Sequence, residues 1–171
     1  MNKLIETIDL TKVYGEKETS VTALNSITTA FNENQFTAIM GPSGSGKSTL
    51  LHCLAGLDKV TSGSILINGI DLASLNDKEL TKMRRDSFGF VFQAFNLIPT
   101  LTAEENITLP SSIAGRKPED EWVEQVINAM DIGDRLGHRP NELSGGQQQR
   151  VAAARAMASK PEVIFADEPS G

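Results

Sequence analysis

Nine residues constrain this chain more than any other stretch: Gly41, Pro42, Ser43, Gly44, Ser45, Gly46, Lys47, Ser48 and Thr49. They fit the pattern G-x-x-x-x-G-K-[ST]. Glycines at these positions let the backbone curl until successive N–H groups point inward at an anion. A helix beginning at the end of such a loop adds the positive end of its dipole. Lys47 then supplies a compact charge for the β- and γ-phosphates of a nucleotide, and the Ser48 hydroxyl suits Mg²⁺. The flanking sequence agrees. Residues 36–40 (FTAIM) are short, mostly apolar and followed at once by glycine, which predicts a buried parallel strand. Downstream, Leu50, Leu51, Leu54, Ala55 and Leu57 recur at helical spacing.

A chain of 171 residues is about one domain long. With 39% hydrophobic and 22% charged residues it is composed like a globular protein, and no apolar run is long enough to span a bilayer. The first ten residues lack the apolar stretch of a secretory signal. Sixteen basic against twenty-two acidic residues give a net charge of −6, which argues against nucleic acid and anionic lipid as general partners. One cysteine forbids an intrachain disulfide and fits a reducing compartment, and two scattered histidines do not make a zinc site. Cys53 reads as a small buried hydrophobe.

Along the chain, residues 4–10 and 21–31 read as strands, 64–67 as a short strand with a turn at Asn68-Gly69, and 88–92 as a buried strand. Asn76 with Glu79 has the form of a helix cap with an acid reaching back. Pro99 and Pro110 bound a stretch expected to be rich in loops. A helix is predicted from near Pro118, with Glu119, Asp120 and Glu121 in its first turn and Trp122, Val123, Val126, Ile127 and Met130 on its apolar face. An alanine-rich helix is predicted over 148–159, stopped by Pro161. Residues 163–166 form a last apolar run ending in Asp167-Glu168. Strands alternating with helices imply an α/β fold with a mostly parallel sheet. A strand end delivers carboxylates to the sheet edge where ligands bind in such folds. Asp167 there would help hold Mg²⁺, and Glu168 would accept a proton from an attacking water.

A third segment, Leu143-Ser144-Gly145-Gly146-Gln147, reads LSGGQ and opens the alanine-rich helix, giving a second glycine-rich helix N-terminus. Together the phosphate loop, LSGGQ and the apolar run ending in Asp-Glu closely resemble the ATP-binding-cassette (ABC) ATPase family. Gln93, after the 88–92 strand, matches the family's Q-loop, and Tyr14 in Lys12-Val13-Tyr14-Gly15 matches its adenine-stacking aromatic residue. Residues 38–51, Gly56-Leu57-Asp58, 92–97 and 142–152 are similar to the bacterial lipoprotein-release and macrolide or antimicrobial-peptide export ATPases. The cell-division ATPase is a neighbour and supplies an alternative, a regulatory or mechanotransmission role beside a membrane protein without transport.

The resemblance implies a mostly parallel central sheet, an N-terminal antiparallel β subdomain and an inserted helical subdomain. The expected partition is 1–92 with 160–171 as nucleotide-binding core and 93–159 as Q-loop and helical subdomain. It implies ATP and Mg²⁺ as cofactors, with Ser48, Gln93 and Asp167 on the metal and Glu168 as base. It also implies a head-to-tail homodimer in which Ser144, Gly145, Gly146 and Gln147 of one copy cap the nucleotide of the other. An integral membrane permease would be the further partner, holding the ATPase peripherally on the cytoplasmic face without membrane insertion. In the family a D-loop and a strand carrying a switch histidine follow the Asp-Glu pair. Here the sequence ends at Gly171, so the resemblance reads it as a fragment lacking its C-terminal core strands, with impaired hydrolysis. Asn34-Gln35 stands where the subgroup has Gly-Glu; asparagine tolerates the left-handed turn needed there. Phe95, Leu97, Ile98 and Leu101 read either as core or as a docking patch for a membrane partner.

Overall fold

The computed structural model describes residues 2–167. They divide at Thr81/Lys82 into two compact units. The architecture is α/β, with an antiparallel sheet in the first unit, and a parallel pair and the longer helices in the second.

In the first unit, β1 (Lys3–Tyr14), β2 (Val21–Asn32), β3 (Ser62–Ile67) and β4 (Ile70–Asp71) form an antiparallel sheet ordered β2-β1-β3-β4. The β3–β4 hairpin closes through Asn68 (φ +50°) and Gly69 (φ +77°), a turn whose two left-handed residues match strand twist. β1 carries the feature that matters most downstream. Ile5 and Thr7 point inward, but so do Leu10 and Lys12. The parity switches because the ladder slips between Thr7 and Leu10, around Asp9 in a left-handed conformation (φ +47°). A Cβ at Gly63 would collide with the Asp9 carbonyl, so the bulge requires glycine opposite it. Helix α1 (Lys47–Leu54) buries Cys53 and Leu54.

The strand expected over residues 36–40 does not form. The segment pairs with no strand among the described residues, and Phe36 and Met40 are 98% and 88% exposed. Apolar content alone does not make a strand, because its amides need a partner ladder on at least one side. Just before it, Asn34 takes the left-handed turn foreseen for it (φ +56°).

Helix α2 (Asp77–Ser87) crosses the division between units. Asn76 caps it as the sequence indicates: its side chain accepts from the Glu79 amide (3.0 Å), and Glu79 accepts in return from the Asn76 amide (2.9 Å). In the second unit, β5 (Phe88–Val91) and β6 (Val163–Ala166) pair in parallel, and Phe88 and Phe165 meet edge to face at 5.3 Å. α3 (Ala103–Ile113), α4 (Asp120–Ala129) and α5 (Gly145–Ala158) share a core containing Ile107, Val126, Ile127, Ile132 and Val151. Gly89 lets α5 approach β5 closely, since a Cβ there would strike the Ala156 carbonyl. The stretch between Pro99 and Pro110 is therefore not mainly loop. Thr102 and Glu105 form a capping box that starts α3, and Pro110 sits inside that helix. The strong cap and the burial of Ala103 and Ile107 outweigh the loss of one amide donor.

Candidate nucleotide-binding site

The phosphate loop curls as its glycines require. Gly44 (φ +77°) and Gly46 (φ +87°) are left-handed, and a Cβ at Gly46 would collide with the Ala23 carbonyl of β2. A Cβ at Gly41 would lie 2.8 Å from the Ser45 hydroxyl. The loop closes on itself through the Ser45 amide, which donates to the Pro42 carbonyl (3.2 Å). Gly46 is the N-cap residue of α1 and supplies no side-chain cap. Lys47 folds back, its ammonium donating to the carbonyls of Gly41 and Pro42, both at 3.0 Å. A cation is thus held at the rim of a loop of amides. Pro42, Ser43, Ser45, Ser48 and Thr49 complete this segment in the first unit.

Tyr14 lies in the same unit, at the end of β1, and is 41% exposed. Its hydroxyl donates to Asp58 Oδ2 at 2.5 Å. Lys12, two residues earlier on the same side of the strand, donates to Asp58 Oδ1 (2.6 Å) and to the Lys59 carbonyl (2.7 Å). Its ammonium sits 4.6 Å from the centre of the Tyr14 ring. The hydrogen bond to Asp58 raises the pKa values of both Lys12 and Tyr14, and a Thr49 hydrogen bond to the phenol pulls the other way. Asp58 is held below the usual carboxylate range, first by Lys12 and then by Tyr14. Burial pushes the neighbouring Cys53 thiol up, leaving it inert, as its hydrophobic character suggests.

The remaining expected residues lie in the second unit. Gln93 follows β5 and is exposed. Immediately after it, Phe95 (φ +56°) and Asn96 (φ +48°) are consecutive left-handed residues without glycine. Arg155 of α5 holds them, donating to the carbonyls of Phe95 (2.8 Å) and Asn96 (2.7 Å). Burial lowers the pKa of this guanidinium. The next turn is pinned by Asn106, which is fully buried. It accepts from the Ile98 amide (2.8 Å) and donates to the carbonyls of Ile98, Leu101 and Thr102. Of the four apolar residues left open by the sequence, Leu97 packs against the helical core, Phe95 and Leu101 are half-buried, and Ile98 is 39% exposed.

Ser144 is the N-cap of α5. Its hydroxyl accepts from the Gln147 amide (3.3 Å), and Gln147 Oε1 accepts from the Ser144 amide (2.8 Å). Gly145 and Gly146 begin the helix, three residues earlier than the alanine-rich pattern predicts, and space is open where their side chains would be. Asp167 is half-buried, and its amide donates to the Val91 carbonyl (3.0 Å), extending the β5–β6 ladder by one residue. Glu168 lies outside the described residues. Among the described residues no group of three acidic, histidine or cysteine side chains forms a metal cage.

Lys12, Asp58, Asn106 and Arg155 were not singled out by sequence as parts of the site. The slip in β1 that turns Lys12 inward beside Asp58 has no reliable mark in the sequence. Nothing local distinguishes Arg155 or Asn106 from surface polar residues.

A left-handed glycine loop with a returning lysine at the start of a helix has the form of a phosphate-binding loop. Residues 24–171 match the family described as ABC transporter, and the chain belongs to that family as an ABC ATPase domain. It is 47% identical to an uncharacterized ABC transporter ATP-binding protein of Thermotoga maritima, over 100% of this chain and 74% of that protein. It is 46% identical to the lipoprotein-releasing system ATP-binding protein LolD of Geobacter metallireducens, over 100% of this chain and 77% of LolD. With the macrolide export ATP-binding/permease protein MacB of Marinobacter nauticus it shares 48% identity over 98% of this chain, but it spans only 26% of that longer protein. The solved dimer of MJ0796, a bacterial ABC transporter cassette, superposes with a TM-score of 0.88 at 46% identity, covering 96% of this chain and 74% of that one. A second dimeric MJ0796 structure, a post-hydrolysis state bound to ADP and Pi, matches equally well (TM-score 0.88, 45% identity, 97% and 74% coverage). The lipoprotein-release and macrolide-export resemblance is therefore the neighbourhood in which the chain's relatives lie.

Proposed function

We propose that this chain is the ATP-binding and ATP-hydrolysing part of a bacterial transporter or lipoprotein-release complex, driving a membrane permease from its cytoplasmic face. The observation that carries the reading is the phosphate loop: left-handed glycines, an uncapped helix start and Lys47 turned back over the loop carbonyls. The kinship with LolD and MacB supports the coupling to a permease, and the dimeric MJ0796 structures support a second ATPase domain as partner. No helix among the described residues is long and apolar enough to cross a membrane.

In this reading Tyr14 receives the adenine and the amides of residues 41–48 receive the phosphates. Lys47 leaves its two carbonyls for the β- and γ-phosphate oxygens, exchanging neutral acceptors for charged ones. Ser48, Gln93 and Asp167 would hold Mg²⁺, which supplies charge neutralisation on the phosphate oxygens. Glu168 takes the proton of the attacking water. Ser144, Gly145, Gly146 and Gln147 present a flat, pre-capped helix start to the nucleotide of a second copy. Such a division suits phosphoryl transfer, where positioning and electrostatics supply nearly all of the rate.

Isothermal titration of the chain with Mg-ATP tests the reading. Lys47→Ala removes two charge-assisted contacts, and affinity is expected to fall roughly tenfold to a hundredfold. Since Lys47 contacts only exposed loop carbonyls, the variant should melt as the parent does. Equal affinity in the two proteins rules the assignment out.

A further inference from the structure

We propose that Asp58 is the positioning residue that fixes the adenine platform relative to the phosphate loop. This rests on the reading of Tyr14 as that platform. A tyrosine at a strand end has two free torsions and no intrinsic reason to present a fixed plane. Here it is held at two points. Asp58 accepts from its hydroxyl at the far end of the ring. Lys12, only 9% exposed, places its ammonium against one ring face and is itself locked by Asp58 and the Lys59 carbonyl. The β1 bulge makes this possible, because the parity switch at Asp9 turns Lys12 inward beside Asp58.

Asp58 is in turn tied to α1. The amides of Leu57 and Asp58 both donate to the His52 carbonyl (2.9 and 3.3 Å), wrapping the exit of the helix whose entrance is the phosphate loop. One carboxylate therefore joins the strand carrying the aromatic ring to the helix carrying the phosphate amides. With one ring face occupied by Lys12, a base has the exposed face to stack on. The spacing between base and phosphates is set before the nucleotide arrives, which lowers the ordering cost of binding.

The test compares ATP with tripolyphosphate, which offers phosphates without a base, on the 171-residue chain and on Asp58→Ala, Tyr14→Phe and Tyr14→Ala. The phosphate loop is intact in all four, so tripolyphosphate affinity should not change. Tyr14→Ala should weaken ATP about tenfold through loss of stacking, and Asp58→Ala about three- to fivefold through loss of orientation. Tyr14 is the sole tyrosine, so its ultraviolet titration reports on the contact directly; the elevated phenol pKa should return toward its ordinary value in Asp58→Ala. If Asp58→Ala does not fold, Tyr14→Phe decides instead, since it removes only the hydroxyl anchor. An unchanged ATP-to-tripolyphosphate ratio in the deciding variant, with Tyr14→Ala weakened, overturns the positioning role and leaves the platform standing. An unchanged ratio in Tyr14→Ala overturns the platform and the proposal with it. Equal loss for both ligands in the deciding variant, or an unmoved phenol titration in Asp58→Ala, also overturns the proposal.

Discussion

The chain has two glycine-rich helix starts, and they are built in opposite ways. At α1 the cap is Gly46, left-handed, wedged against the Ala23 carbonyl and without a side-chain acceptor. At α5 the cap is Ser144, extended, and its box with Gln147 dresses two of the helix's own amides. The first glycine is required by the fold; Gly145 and Gly146 have open space around them. Glycine-rich helix starts are therefore not one kind of site. One is a cradle whose shape comes from left-handed backbone, and the other is a helix start with open space where two side chains would be.

Substitutions separate the two. Gly46→Val forces a β-branched residue to φ +87° against a carbonyl, and it is expected to cost about 3 kcal/mol, the sum of strain and collision. In a thermal melt that is a fall of roughly 6–12 °C. Ser144→Ala removes one half of a capping box and should cost about 1 kcal/mol, or roughly 2–4 °C. Gly146→Ala should have the opposite sign, stabilising by about 0.5 kcal/mol, because alanine enters a helix more readily and meets nothing. If Gly46→Val and Gly146→Ala melt alike, the contrast between the two helix starts is wrong.

A smaller effect sharpens the same contrast through pH. The α5 box consists of neutral groups, whereas the surroundings of α1 include Lys12, Tyr14 and Asp58. Asp58 is depressed in the folded chain, so its contribution is complete above the unfolded value near about 4 and is lost as pH falls through the folded value. Lys12 and Tyr14 are raised, so theirs is complete below about 10 and is lost as pH rises through their folded values. Asp86, held low first by Arg85, adds to the acid limb. Stability measured from pH 2 to 11, in the parent and in Asp58→Ala, isolates the cluster by difference. Both limbs should flatten in the variant.

The sequence was most legible where chemistry is local. The phosphate loop, the Asn76–Glu79 cap, the Asn68-Gly69 turn and the apolar face of α4 follow from neighbouring residues. The same holds for the LSGGQ helix start, apart from its three-residue offset. It was least legible where the outcome depends on a distant partner. Residues 36–40 have the composition of a strand, but no strand among the described residues pairs with them. α3 is masked by Pro110 although its Thr102–Glu105 cap is a local signal; what outweighs the proline, the burial of Ile107, is not local. Lys12 looks like a surface lysine until a slip in β1 turns it inward, and a bulge has no reliable mark in a single sequence. Arg155 gains its role from carbonyls roughly sixty residues away in sequence.

The unpaired 36–40 segment has a practical consequence. It pairs with no strand among the described residues, and Phe36 and Met40 within it are exposed. Such a strip is a template on which another chain can add a strand. Its short, uncharged, β-prone composition is also that of aggregation-prone stretches. Five residues beside the binding loop are thereby expected to favour association of the chain as its concentration rises, and Phe36→Lys is expected to reduce it, which light scattering over a concentration series checks.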